Sequence, residues 1–290
     1  YYSGKPPYET GWIGWSQYFK EYGRAIDMFS HNESYKCDSL STARFDVFDE
    51  LVNYESIFTK IENASNIPAY EITPSYSDRR SNRTVKADSI DELLECIKML
   101  SEVPNEKFVF AYCDNPDSIL HKYGTSSEEA KNFLLDAENK ICNLCSSLDN
   151  DTLLIISTDH GHKDIKNVYS LLDYPQIQEC LIMPPSIESR SVTFWVKEDM
   201  KNIFEDKFNK FFGNDFWLMT KKEFLDKHFL GFGVKHPKID DFIGNYMALS
   251  TGSSIIPLET YLAEPKKIKK STHCGLSKEE MEVPLIVIKK

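Results

Sequence analysis

Leu153-Leu154-Ile155-Ile156-Ser157-Thr158-Asp159-His160-Gly161 decides the fold: an apolar run of strand length ends in a carboxylate, an imidazole and a glycine. A continuous apolar run bounded by polar residues reads as a strand buried on both faces. Similar runs recur at Phe108-Val109-Phe110-Ala111-Tyr112, Val192-Thr193-Phe194-Trp195-Val196 and Pro284-Leu285-Ile286-Val287-Ile288. Helical segments with capping-box spacing lie between them. Ser89-Ile90-Asp91-Glu92 opens one to about Glu102, Ser126-Ser127-Glu128-Glu129 a longer one to about Leu148, and Thr220-Lys221-Lys222-Glu223 one ending near Gly231. The alternation from Ser89 to Ser157 predicts an α/β fold with a mostly parallel central sheet covered by helices on both faces. In such sheets ligands gather beyond the carboxyl ends of the strands, where Asp117 and Asp159 both fall.

Patterning is mixed from Pro184 to Lys270 and includes an aromatic-rich helix from Met200 to Phe212. A smaller lobe over residues 184–270 is therefore expected, inserted into a core made of 1–183 and 271–290. The 290 residues, 41% hydrophobic and 13% aromatic, suffice for one sizeable core plus that lobe. No apolar stretch approaches the ~20 residues that cross a bilayer as a helix.

A net charge of -11 argues against electrostatic binding of duplex nucleic acid, which needs clustered Lys and Arg to neutralise phosphates. The short basic cluster Lys266-Lys267-Ile268-Lys269-Lys270 reads as a solvated loop, although its place just before His273 would also suit steering of an anionic substrate. Seven cysteines with irregular spacing do not make a disulfide framework. Cys96, Cys113 and Cys142 sit in apolar runs as small buried hydrophobes, and Cys142-Asn143-Leu144-Cys145 falls inside a helix without a partner pair. That usage leans toward a reducing compartment such as the cytoplasm without assigning one. The sequons at Asn32 and Asn82 are too common to establish secretion.

Three separated stretches carry the chemistry: Pro116-Asp117-Ser118-Ile119-Leu120-His121, Ser157-Thr158-Asp159-His160-Gly161 and His273-Cys274-Gly275-Leu276-Ser277. Imidazole nitrogen and carboxylate oxygen are the donor types that zinc accepts, and two such ions about 4 Å apart can clamp the attacking and leaving oxygens of a phosphoryl displacement. Asp117 and His121 are four apart, so one helical turn brings them to a common face. Asp159 and His160 are adjacent and would point to opposite faces of a strand, so both can serve one site only where the backbone turns, as Gly161 permits. Taken singly, each motif is more often a surface pair or a turn; their joint occurrence is what points to a site.

Together these residues resemble the alkaline phosphatase superfamily and, within it, the type I phosphodiesterase and nucleotide pyrophosphatase branch. The matching elements are Pro116-Asp117 with His121, Tyr123 and Gly124; Ser157-Thr158-Asp159-His160-Gly161-His162; and His273-Cys274-Gly275-Leu276-Ser277 with Glu280-Met281 and Val283-Pro284-Leu285. Pro184-Pro185-Ser186 and Gly244-Asn245-Tyr246 resemble the intervening lobe of bacterial members. The resemblance implies that Asp117, His121 and His273 hold one zinc and that Asp159 and His160 hold the other. It also implies a threonine or serine nucleophile, preceded by an Asp-bearing strand, upstream of Tyr1. The chain starts at Tyr1-Tyr2-Ser3-Gly4 without an initiator Met or signal-peptide pattern, so a preceding segment is expected, and residues 1–290 alone are expected to be inactive.

The activity so implied is hydrolysis of small phosphodiesters or nucleotides. The alternatives are a phosphomonoesterase, phosphonate hydrolase or sulfatase on the same scaffold, or a catalytically incomplete binding protein. His162 is expected either to orient a ligand or to be a loop residue. Trp12, Trp15 and Tyr18 would pack the core or stack on a nucleobase, and His31, His228 and His236 read as structural. Thr10, Cys274 and Asn245 depart from the residues common in relatives. The sequence leaves the oligomeric state open.

Overall fold

The computed structural model describes residues 1–29, 32–34, 53–77, 81–258 and 268–290. It contains two compact units, one of Tyr1–Gly4, Tyr54–Asp159 and Val283–Lys290, the other of Lys5–Asn53 and His160–Glu282. The segment 184–270 lies wholly within the second. His31, Cys37 and the first two lysines of the basic cluster fall outside the described residues.

In the first unit, strands Arg83–Lys86, Ala69–Thr73 and Phe108–Ala111 pair in that order, all parallel. Helix Ile57–Ser65 precedes them in the chain, Ile90–Ser101 lies between the strands at 83–86 and 108–111, and Glu128–Ser147 follows. Each starts where a serine hydroxyl accepts a backbone N–H otherwise left unpaired: Ser56 from Thr59, Ser89 from Glu92, and Ser127, rather than Ser126, from Ala130. Leu93 and Cys96, three apart on the second helix, share an apolar stripe with buried Ile72 and Ala87 and partly buried Val109 and Ala111. This is the α/β arrangement that the alternating pattern implies.

The run 153–157 is a strand, as expected, but it pairs antiparallel with Leu285–Lys289. The expectation that both are buried does not hold: Leu153 is 59% exposed and Leu285 71%. An apolar strand is buried on both faces only where layers cover both, and among the described residues this ribbon forms its own two-stranded sheet. Cys142 is likewise exposed, on the solvent side of its helix; the six described cysteines, Cys96, Cys113, Cys142, Cys145, Cys180 and Cys274, are free thiols.

The second unit is built on a seven-stranded antiparallel sheet in the order Phe216–Thr220, Tyr246–Ser250, Ser191–Phe194, Ser186–Ile187, Ser16–Phe19, Arg24–Asp27, Asn32–Glu33. Helix Lys201–Phe212 covers it with Phe204, Phe208 and Phe212, which recur every fourth residue and are fully buried against Val192, Phe194, Phe216 and Tyr246. Each such side chain contributes on the order of 1.5–3 kcal/mol by leaving water. The helix opened by Thr220 carries a complete capping box with Glu223 but ends at Asp226, earlier than Gly231. His228, at φ 55°, takes the left-handed conformation that stops it, and a turn closes from the Gly231 N–H to the His228 carbonyl.

Candidate metal centre

In the first unit, strand Phe108–Ala111 leads through a short loop into helix Asp117–Tyr123. Asp117 is its first residue and His121 lies one turn on, with Nε2 3.4 Å from the Asp117 Oδ2, so the two share a face as their spacing predicts. Asp159 follows strand Leu153–Ser157 by two residues. Tyr112, just past its own strand, reports on both carboxylates. Burial first, then the charge of Asp159, with Tyr76 and Asp117 adding, pushes the phenol well above its ordinary pKa. Tyr76 is pushed up to about 12 by burial and then by Asp114. The two aspartates thus both lie beyond the carboxyl ends of strands in this unit.

In the second unit, strand Lys163–Asp164 pairs antiparallel with Ser271–Thr272, Lys163 opposite Thr272. One more step of that register sets His162 across from His273, and their ring centroids are 5.2 Å apart. The His160 ring stacks on His273 at 3.7 Å and 17°. One ring nitrogen from each of His160, His162 and His273 lies within 4.8 Å of the others. Each Nδ1 is held locally: that of His160 by the Gly161 carbonyl at 3.0 Å, that of His162 by the Ser271 hydroxyl at 3.0 Å, that of His273 by the Cys274 thiol at 3.0 Å. An imidazole anchored through one nitrogen is oriented to offer the other to a metal, so the donor set and its support fit a divalent cation.

Gly161 makes this possible by close approach. Its N–H donates to the Glu280 carbonyl at 3.0 Å, and a Cβ there would lie 1.9 Å from the Glu279 carbonyl oxygen. Glu280 is buried and pairs with buried Arg190 at 2.6 Å. Burial pushes its carboxyl up, but hydrogen bonds from Arg190, Ser277 and Gly275 outweigh this and hold it below the ordinary glutamate value. A carboxyl lowered by folding stabilises the native state in full above its unfolded pKa of about 4.3, and that contribution is lost as pH falls through the lower folded value. Denaturant unfolding followed by tryptophan fluorescence is therefore expected to show stability declining below about pH 4.3, with a shallower decline in Glu280→Gln.

Sequence reasoning groups Asp117 and His121 with His273, and Asp159 with His160. The structure brings Asp117 to His121 and Asp159 beside the same phenol in one unit, and His160 to His273 in the other. His162, read as an orienting or loop residue, belongs with the histidine cluster. Sequence reasoning names Glu280 only as part of a matching motif, with no role, and does not single out Arg190 or Ser271. The Ser277-x-x-Glu280 capping spacing was a signal for Glu280, whereas Arg190 has none in its neighbourhood. Trp12 and Trp15 pack on Phe29 with centroids at 5.1 and 5.0 Å, and Tyr18 meets Trp195 edge-on at 5.4 Å. The His236 Nδ1 accepts the Lys238 N–H while burial lowers its pKa, and His228 contacts Phe232, so both have packing roles. The Asn245 Oδ1 accepts the Val196 N–H at 2.6 Å and serves the sheet.

Solved structures share this architecture. Murine ectonucleotide pyrophosphatase/phosphodiesterase 5, as an inactive variant in complex with AMP, matches 99% of this chain and 74% of its own at 16% identity, with a TM-score of 0.66. Phosphonoacetate hydrolase from Sinorhizobium meliloti, in complex with phosphonoacetate, matches 99% and 76% at 15% identity and 0.68. Human ectonucleotide pyrophosphatase/phosphodiesterase 5 matches 97% and 72% at 13% identity and 0.64. No curated protein matches the chain. The fold is thus the α/β fold of these enzymes. More narrowly, the sequence model of the type I phosphodiesterase / nucleotide pyrophosphatase family matches residues 2–208, and the chain belongs to that family. Membership places it among phosphoric ester hydrolases. Among the described residues, no helix is long and apolar enough to cross a membrane.

Proposed function

We propose that the protein is a dizinc hydrolase of small phosphodiesters and nucleotide pyrophosphates. In this reading Asp117, His121 and His273 hold one ion and Asp159 and His160 the other. The observation that carries it is the packing of His160, His162 and His273, each imidazole anchored at Nδ1, in a member of this family. When bound, a pair of zinc ions supplies charge stabilisation to the oxygens of an in-line phosphoryl displacement. The chain supplies the carboxylates and imidazoles that would hold them, while Ser271 fixes the ring of His162, which we assign to orienting a phosphate oxygen or a ligand. Arg190 is committed to Glu280 and two carbonyls, so it is not a phosphate clamp.

The nucleophile in this proposal is a threonine or serine hydroxyl, which the residues assigned above do not include, so turnover is assayed on the full-length protein. Full-length protein is expected to carry close to two zinc ions per chain by elemental analysis and to cleave bis(p-nitrophenyl) phosphate faster than p-nitrophenyl phosphate. His273→Ala should lower the zinc content and cut diester turnover by at least about 100-fold. Zinc-free wild-type protein, or a His273→Ala variant as active as wild type, would refute the assignment. The likeness to a phosphonoacetate hydrolase supports a second reading, cleavage of a phosphonate C–P bond. Release of inorganic phosphate from phosphonoacetate without diester cleavage would favour it.

A further inference from the structure

A buried ion pair rarely stabilises a fold better than apolar residues of the same volume, because two charges must be taken out of water. The Arg190–Glu280 pair therefore calls for a reason beyond stability, and its contacts supply one. The Arg190 Nε donates to Glu280 Oε1 at 2.6 Å and Nη2 to Oε2 at 2.7 Å, with neither side chain more than 1% exposed. Two further guanidinium protons go to the Ser254 carbonyl at 3.0 Å and the Gly252 carbonyl at 2.8 Å. The Glu280 carboxylate also accepts from the Gly275 N–H at 2.7 Å and the Ser277 hydroxyl at 2.6 Å, while the Glu280 carbonyl accepts from the Gly161 N–H at 3.0 Å.

One pair thus ties down the segment one residue after His160 and the segment two residues after His273. The next residue, Ser191, donates its hydroxyl to the Cys274 carbonyl, adding a second tie to the His273 loop. A Cβ at position 275 would lie 2.6 Å from the Arg190 Nη2, so the guanidinium lies directly against the loop backbone.

We propose that Arg190, acting through Glu280, is a positioning residue for the His160–His162–His273 cluster, its forked geometry setting the affinity of the His160 and His273 imidazoles for divalent cations. The proposal rests on the metal-dependent reading above. Lysine keeps the charge but cannot form the fork, so it does not substitute.

The test measures zinc affinity by competition with a chromophoric chelator, the visible spectrum of the cobalt-loaded protein, and thermal unfolding without metal. These are applied to wild type, Arg190→Lys, Glu280→Gln and the double variant Arg190→Met with Glu280→Leu. Zinc affinity is expected to fall about 10–100-fold in all three variants, with altered cobalt spectra. The double variant should regain metal-free thermal stability relative to the single ones without regaining affinity. Ser277→Ala, which removes one Glu280 contact and leaves the pair intact, should weaken zinc binding by a smaller factor and serves if the pair variants do not fold.

Wild-type affinity and cobalt spectrum in the double variant, or in Ser277→Ala where that variant serves, would overturn the positioning role while leaving the metal site standing. Wild-type protein that binds no zinc would overturn the metal-dependent reading itself, and the proposal with it.

Discussion

Gly161→Ala is expected to cost the protein both stability and its capacity to hold a metal. The methyl group would sit 1.9 Å from the Glu279 carbonyl oxygen and 3.0 Å from its carbon, with the Glu280 Cα 3.4 Å away. All three are backbone atoms, so no rotamer change relieves the clash and one chain segment must move. Moving it breaks the Gly161 N–H bond to Glu280 and shifts His160, whose ring is stacked on His273. Overpacking of this kind typically costs about 1–3 kcal/mol and sometimes more. The zinc affinity should fall about 10–100-fold, as when the support of a ligand is lost. Denaturant unfolding and zinc titration of the same preparation check both effects; a variant with wild-type stability would mean that the two segments do not approach this closely.

Phe208→Ala should destabilise the second unit by about 3–5 kcal/mol, the range for truncating a buried aromatic. Its ring is fully buried between Phe194, Phe204, Phe212 and Phe216, at centroid separations of 5.7, 5.6, 5.0 and 6.4 Å. These neighbours belong to a helix and two strands, so no single side chain can collapse into the space left behind. The neighbouring Asn209→Ala, on the exposed face of the same helix, should stay within about 0.5 kcal/mol of wild type. Denaturant midpoints compare the two. The effect should reach the site, since Phe194 ends the strand that begins one residue after Arg190. A Phe208→Ala midpoint equal to that of Asn209→Ala would contradict this packing.

Local chemistry made several elements readable from the chain. The runs around 108–111, 153–157, 191–194 and 285–289 are strands, and the serines before Ile90 and Glu128 and the threonine before Lys221 mark helix starts. Asp117 and His121 meet because a helix returns to the same face after four residues. Partner choice was less readable. The alternation from Ser89 to Ser157 implies parallel pairing and finds it in the three strands before Asp117, yet Leu153–Ser157 takes an antiparallel partner from the far end of the chain. The antiparallel sheet of the second unit joins strands from residues 16–33 to strands beyond residue 185, a distance over which hydrophobic period carries no information.

The sequence by itself determined the family and which donor types the candidate site offers, because side-chain chemistry and short spacings are properties of neighbours in the chain. Only the tertiary structure decided that His160 stacks on His273 and that His162 joins them. The same holds for the pairing of Arg190 with Glu280 ninety positions away, which supports the loops of the cluster. Those contacts arise where strand register and the burial of two opposite charges bring distant segments together, and no local pattern of residues encodes which distant partner will be there.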